Sequence, residues 1–244
     1  MAVAIFGATS RIAREAALRY AERGESVCVV ARDTAEAELI AHDLHIRTGV
    51  TAIARGFDAT SVEQHAALVA DIEAELGPLT AAVVAFGDMG DQKIAESDAL
   101  HLKRILDTNF TGAAALLEAL AAPMAARGKG AIAVIGSVAG DRGRQSNYAY
   151  GSAKAGLEAY VSGLRNRLFK LGVHVMTVKP GFIDTRMTWG MKTKIPIASP
   201  EDISAAIVRG LDQRTDTLYY PHFWRLIMGV IRAIPERAFK RLSL

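Results

Sequence analysis

Along the chain, short runs of consecutive apolar residues alternate with longer stretches in which apolar positions recur every three or four residues. The runs are "AVAIF", "SVCVVA", "VTAIARGFD", "AAVVAFG", "AIAVIGS" and "VHVMTVKPG". Between and after them the helical spacing predicts helices over 12–23, 34–47, 61–76, 98–126 and 149–170, and a sixth that begins near Ser199-Pro200-Glu201-Asp202. Runs that are continuously apolar suit strands buried on both faces, with the helices as crossovers. The predicted fold is therefore α/β, a doubly wound parallel sheet of the Rossmann type. No Gly/Ser/Pro-rich linker or charge run divides it. One dinucleotide-binding catalytic domain is expected over 1–220, followed by an amphipathic basic tail over 221–244.

In a doubly wound sheet, ligands lie beyond the carboxyl ends of the strands, so the residues just past each apolar run are the candidates. After the first run comes "GATSRIA", Gly7 to Ala13, a turn whose backbone N–H groups and following helix suit a pyrophosphate. Arg32 comes after the second run, Asp58 after the third and Gly87 after the fourth; the fifth ends at Ser137 and the sixth at Pro180-Gly181. In "NYAYGSAKAGLEAYV", Asn147 to Val161, Tyr150 and Lys154 stand four apart on one helical face. A free phenol ionises near pH 10, so a tyrosine that exchanges protons near neutrality needs a nearby cation, and Lys154 is placed to be one.

Ser137, Tyr150 thirteen residues later, Lys154, Asn109 on the preceding helix and "PGFIDT" at 180–185 together resemble the short-chain dehydrogenase/reductase family. The resemblance covers the chain to about Tyr220. It implies an NAD(P)(H)-dependent oxidoreductase that interconverts a ketone and a secondary alcohol, with Asn109, Ser137, Tyr150 and Lys154 catalytic. Tyr150 would be the proton donor, Lys154 would also hold the nicotinamide ribose, Ser137 would bond the reacting oxygen, and Asn109 would hold a relay water. The cofactor would contact Gly7, Thr9, Ser10, Arg11, Ile12, Arg32, Asp58, Ala59, Gly87, Tyr150, Lys154, Pro180, Gly181, Ile183 and Thr185. NADP(H) is expected over NAD(H), because Ala31 stands where NAD-preferring members carry an acid and Arg32 where NADP-preferring members carry a cation; Asp33, one residue on, is an acid that reaches toward a ribose. No metal is expected.

The chain departs from the family pattern in the glycine turn, where Arg11 and Ala13 replace glycines, and after the fourth strand, where "VAFG" (Val84 to Gly87) replaces Asn-Asn-Ala-Gly. Arg11 is a long cation that reaches toward phosphate. The ending "LYYPHFWRLIMGVIRAIPERAFKRLSL" is similar to that of family members reducing a keto-sugar carried on a polyprenyl phosphate. A bulky apolar ketone, or cofactor sensing without turnover, are the rival readings.

The chain has 244 residues, half of them hydrophobic, enough for a sizeable core. Its single cysteine, Cys28, lies in "SVCVVA", so a buried small hydrophobe is expected and an intrachain disulfide is excluded. The start "MAVAIFGATS" has no charged n-region, and a cytoplasmic protein is expected. The formal charge is +3. From Leu218 onward five cations (Arg225, Arg232, Arg237, Lys240, Arg241) face one anion, Glu236; that +4 leaves −1 for everything before, which argues against a nucleic-acid-binding body. Leu226, Ile227, Val230, Ile231 and Ile234 fall at helical spacing with Pro235 as a stop. A helix over 223–234 would be about 18 Å long, short of the roughly 30 Å hydrocarbon core. It is expected either to pack on its own subunit or a homodimer or homotetramer partner, or to lie on the inner face of the membrane.

Overall fold

The computed structural model describes residues 1–190 and 193–242. Its sheet has seven parallel strands in the order β3-β2-β1-β4-β5-β6-β7. These are β1 (Ala2–Phe6), β2 (Ser26–Ala31), β3 (Ala52–Gly56), β4 (Leu79–Val84), β5 (Gly130–Ile135), β6 (Val173–Pro180) and β7 (Thr217–Tyr220). Every residue of β1 and β6 is buried, as their unbroken apolar runs require of strands covered on both faces. The helices are α1 (Arg11–Glu22), α2 (Thr34–Thr48), α3 (His65–Leu76), α4 (Gln92–Ala95), α5 (Ala99–Leu106), α6 (Gly112–Arg127), α7 (Tyr148–Phe169), α8 (Pro200–Asp212), α9 (Trp224–Ala233) and α10 (Glu236–Phe239).

Two apolar layers flank the sheet. One, under α1, α2 and α8, is built on Ile5, Val29, Ile40, Leu44, Ile203 and Ile207. The other, under α3, α6 and α7, is built on Phe6, Ile72, Leu116, Leu120, Leu157 and Leu164. The strand order reverses direction of growth between β1 and β4, which opens a crevice at their carboxyl ends. Cys28 lies in the second layer, fully buried, where loss of solvation pushes its thiol up to about 12.

The structure corrects four element expectations. The helix expected over 98–126 is interrupted by a π-helical turn, Asp107–Thr111, and the one expected over 61–76 opens with a 3₁₀ turn at Val62–Gln64. "TLYY" pairs with β6 as a seventh strand too short and too polar at its start to stand out in the sequence. The tail stripe is not one face: Ile227 and Ile231 turn toward the body while Leu226 and Val230 are exposed. Of the tail expected to run to Leu244, Ser243 and Leu244 lie outside the described residues.

Candidate active site

Gly7 leaves β1 at φ +82°, and a Cβ there would stand 2.6 Å from the Phe86 backbone nitrogen, so only glycine makes this turn. The N–H groups of Gly7 and Ala8 donate to the Val30 carbonyl at 2.8 and 3.1 Å. Ser10 is the N-cap of α1 but makes no side-chain cap bond, so the first N–H groups of the helix remain open toward an anion. Arg11 turns elsewhere: its guanidinium meets the Asp184 carboxylate at 2.8 Å and the Glu201 carboxylate at 3.4 Å. Reaching a phosphate would require it to leave both.

Arg32 is exposed at the end of β2, and the acid beside it is already engaged. Asp33 caps α2 by accepting from the Glu36 N–H at 3.0 Å, which removes it as a ready ribose ligand. Asp58 accepts from the N–H and hydroxyl of Thr60, and those bonds, with Arg32 nearby, hold its carboxyl below the usual range. Ala59 lies against Gly112, whose Cβ position would fall 2.1 Å from the Ala59 oxygen.

The π-helical turn places Asn109, fully buried, beside the residues just past β4. Its Nδ2 donates to the Asp88 and Ile105 carbonyls at 2.6 and 2.8 Å, and its Oδ1 accepts from the Asp88 N–H at 3.1 Å. Both amide hydrogens are thus committed, so the water expected here has to bind through an oxygen. A Cβ at Gly87 would lie 2.8 Å from Asn109 Oδ1 and 3.5 Å from Lys154 Nζ, which shows how closely the three residues converge.

Ser137 lies two residues past β5 and its Oγ accepts from the Ala139 N–H at 3.0 Å, capping a 3₁₀ turn, Val138–Gly140. The local-turn reading of this serine and the catalytic one coexist, because its side chain also lies close enough to the Tyr150 phenol to favour phenolate. Tyr150 and Lys154 lie on the first turns of α7, only 7% and 2% exposed. Burial pushes the phenol up to about 12, opposed by Ser137. Burial also pulls the Lys154 ammonium down to about 8, opposed by Glu158. The Lys154 Nζ donates to the Ile135 carbonyl at 2.9 Å and lies 5.7 Å from the Tyr150 ring centroid.

A buried ammonium opposes folding of the ligand-free protein. Between about pH 8 and the ordinary lysine range near 10.5 the unfolded chain binds the proton that the folded one has lost, so stability rises with pH across that window. Lys154→Met is expected to raise the stability of the ligand-free protein at pH 7 by about 1–3 kcal/mol, an advantage that shrinks above pH 8. Thermal melts of both proteins across that pH range check it.

Pro180, the last residue of β6, and Ile183 beyond it are buried, and Thr185 caps the short helical turn Arg186–Thr188 with its N–H bonded to Thr188 Oγ1 at 3.2 Å. Gly181 is covered by the tail: a Cβ there would fall 1.8 Å from the Trp224 Nε1. Trp224 and Met228 are buried against Val138, the residue after Ser137. Arg142, two residues past that turn, donates to the Ile231 and Ile234 carbonyls at 2.7 and 2.6 Å and to the Glu236 carboxylate at 2.9 Å. The tail is thereby fastened to the loop that carries Ser137. Sequence reading missed this contact; "FW" followed by helical spacing gives the helix but not the surface it covers.

These features define the class: a dinucleotide-type parallel sheet whose strand ends converge on a buried tyrosine–lysine pair. A family model described as short chain dehydrogenase matches residues 1–195. An uncharacterized oxidoreductase of Mycobacterium tuberculosis is 39% identical over 241 residues, covering 98% of this chain and 96% of the relative. A short-chain dehydrogenase from Sphingobium yanoikuyae in complex with NADPH superposes with a TM-score of 0.82 at 26% identity, over 96% of each chain. An actinorhodin polyketide ketoreductase with NADPH gives 0.80 at 26% identity, over 89% of this chain and 94% of that one. The chain belongs to the short-chain dehydrogenase family.

Proposed function

We propose that the protein is an NADPH-dependent reductase that interconverts a ketone and a secondary alcohol. The observation that carries the proposal is the meeting of Tyr150, Lys154, Ser137 and Asn109 at the ends of β4 and β5. The nicotinamide supplies the hydride. The open N–H groups of α1 and the close-packed Gly7 turn suit its pyrophosphate, and Arg32 suits a 2′-phosphate. Tyr150 gives its proton to the carbonyl oxygen that Ser137 orients, and the Lys154 ammonium stabilises the phenolate left behind. The NADPH named with the Sphingobium dehydrogenase and with the ketoreductase supports the same cofactor here. Titration with NADPH and NADH tests it. Arg32→Ala is expected to weaken NADPH by about 1–3 kcal/mol, the range of a hydrogen bond to a charged group, and NADH hardly at all. Equal loss for both cofactors would count against the assignment.

For the substrate, the reading favoured is a keto-ribose carried on a polyprenyl phosphate, as in decaprenylphosphoryl-2-ketoribose reductase, whose C-terminal ending this chain resembles. Among the described residues no helix is long and apolar enough to cross a membrane. Leu226, at 74% exposure, and Val230, at 60%, nevertheless stand exposed on α9, which also carries the exposed Arg225 and Arg232, with the exposed Arg237 following on α10. Apolar residues flanked by cations suit reversible contact with anionic lipid, where each basic residue near the surface contributes about 1 kcal/mol. The protein is expected to co-sediment with phosphatidylglycerol vesicles at low salt and less at high salt. Leu226→Ser with Val230→Ser is expected to remove that binding without loss of thermal stability. A wild-type protein that stays in the supernatant at low salt would point instead to another bulky apolar ketone held by a soluble enzyme.

A further inference from the structure

Behind the tyrosine–lysine pair lies a second, buried set of charges. Lys179 on β6 bonds the Asp141 carboxylate and meets the Glu158 carboxylate at 2.7 Å. Tyr219 on β7 donates to Asp141 Oδ2 at 3.0 Å and accepts from Lys179 at 3.3 Å. Arg144 faces Asp141 from the same loop. Side-chain exposures of 11% for Lys179, 1% for Asp141 and 14% for Glu158 keep water from screening the set.

Glu158 connects this set to the site. It stands four residues after Lys154 and eight after Tyr150, so all three share one face of α7. Its Oε2 takes Lys179, while its Oε1 is buried with no hydrogen-bond partner. That oxygen lies under the serine turn: Cβ positions at Gly136 and Gly140 would fall 3.4 and 2.9 Å from it. The Ser137 backbone N–H faces the same carboxylate and favours its charged form. Three cations, Lys154, Lys179 and the half-buried Arg144, thus face two anions, Asp141 and Glu158, within one region.

We propose that Glu158 is a positioning residue of the site, holding the Ser137 turn from below and supplying the negative charge that keeps Lys154 an ammonium. The inference builds on the reductase reading for its purpose, but its physical content is independent of turnover. Without Glu158 only Asp141 is left to face these cations, and the ammonium with no acid bonded to it, Lys154, is the one that gives up its proton. Burial pushes the Glu158 carboxyl up, and the Lys179 ammonium at 2.7 Å works against that push.

The test tracks Lys154 directly, by NMR titration of protein labelled with [13Cε]lysine, its resonance identified by loss in Lys154→Met. Glu158→Gln is expected to lower the Lys154 titration by about one pH unit, a tenfold change in proton affinity. Glu158→Asp keeps the charge and is expected to titrate as the wild type does. A folded Glu158→Gln protein in which Lys154 titrates unchanged would overturn the proposal. Should that variant fail to fold, a downward move of Lys154 in Glu158→Asp would overturn it equally. If Lys154 responds as expected but no ketone is turned over, the reductase reading fails and the positioning role of Glu158 stands.

Discussion

Tyr150→Phe is expected to lower ketone reduction by about 10²–10⁴-fold, the range general acid catalysis supplies, while NADPH binding stays near the wild-type level. The phenol is 7% exposed, so the phenylalanine ring fills the same space and the cavity around it does not collapse. What is lost is the one proton donor that Ser137 and Lys154 flank. Burial pushes the phenol up to about 12, and a neighbouring cation such as the Lys154 ammonium, 5.7 Å from the ring centroid, favours the phenolate that proton transfer leaves. Lys154→Ala should therefore impair both turnover and cofactor binding, unlike Tyr150→Phe. A steady-state assay with a ketone panel, read beside NADPH fluorescence titration, separates the two. Retention of most activity by Tyr150→Phe would remove this tyrosine from the mechanism.

The second large effect is expected in the tail. Trp224→Ala should destabilise the protein by about 3–5 kcal/mol, as large-to-small changes at buried aromatic sites do, and should reduce turnover as well. The indole is 2% exposed and in edge contact with Phe182 at 5.2 Å between centroids, beside Val138. Removing it opens a void next to both the Ser137 turn and Gly181. Deleting residues 223–244 should be worse, since Arg142 would lose the carbonyls it bonds. Denaturant unfolding and a small-ketone assay on the same variants decide the matter. A truncated protein as stable and as active as the full chain would show that the tail is a separable appendage.

Much of the sheet was legible because buried parallel strands leave unbroken apolar runs, and "AVAIF" and "VHVMTVKP" became fully buried strands as read. The residues at the ends of those runs were legible for the same reason: the topology itself brings Gly7, Gly87, Ser137 and Pro180 to one edge of the sheet. The π-helical turn at Asn109 was not, since one extra residue in a helical repeat leaves no mark in the apolar spacing. Nor could sequence show that Asp33 spends its carboxylate on the cap of α2 or that Arg11 pairs with Asp184, because both depend on where a side chain turns. Glu158 had a readable signal, its four-residue distance from Lys154, but its partner Lys179 comes from a strand distant in sequence. The tail's two faces were read as one stripe because spacing alone does not say which neighbour arrives.

The fit of Trp224 over Gly181 also bears on how this chain can change by descent. With the indole nitrogen 1.8 Å from where a Cβ at position 181 would sit, no side chain at 181 is compatible with tryptophan at 224. The two positions are sterically coupled: a side chain at 181 requires the Trp224 ring to move or to be replaced. Relatives aligned on both positions should therefore show glycine at 181 wherever a large aromatic occupies 224, and freedom at 181 only where the tail is shorter or turned away.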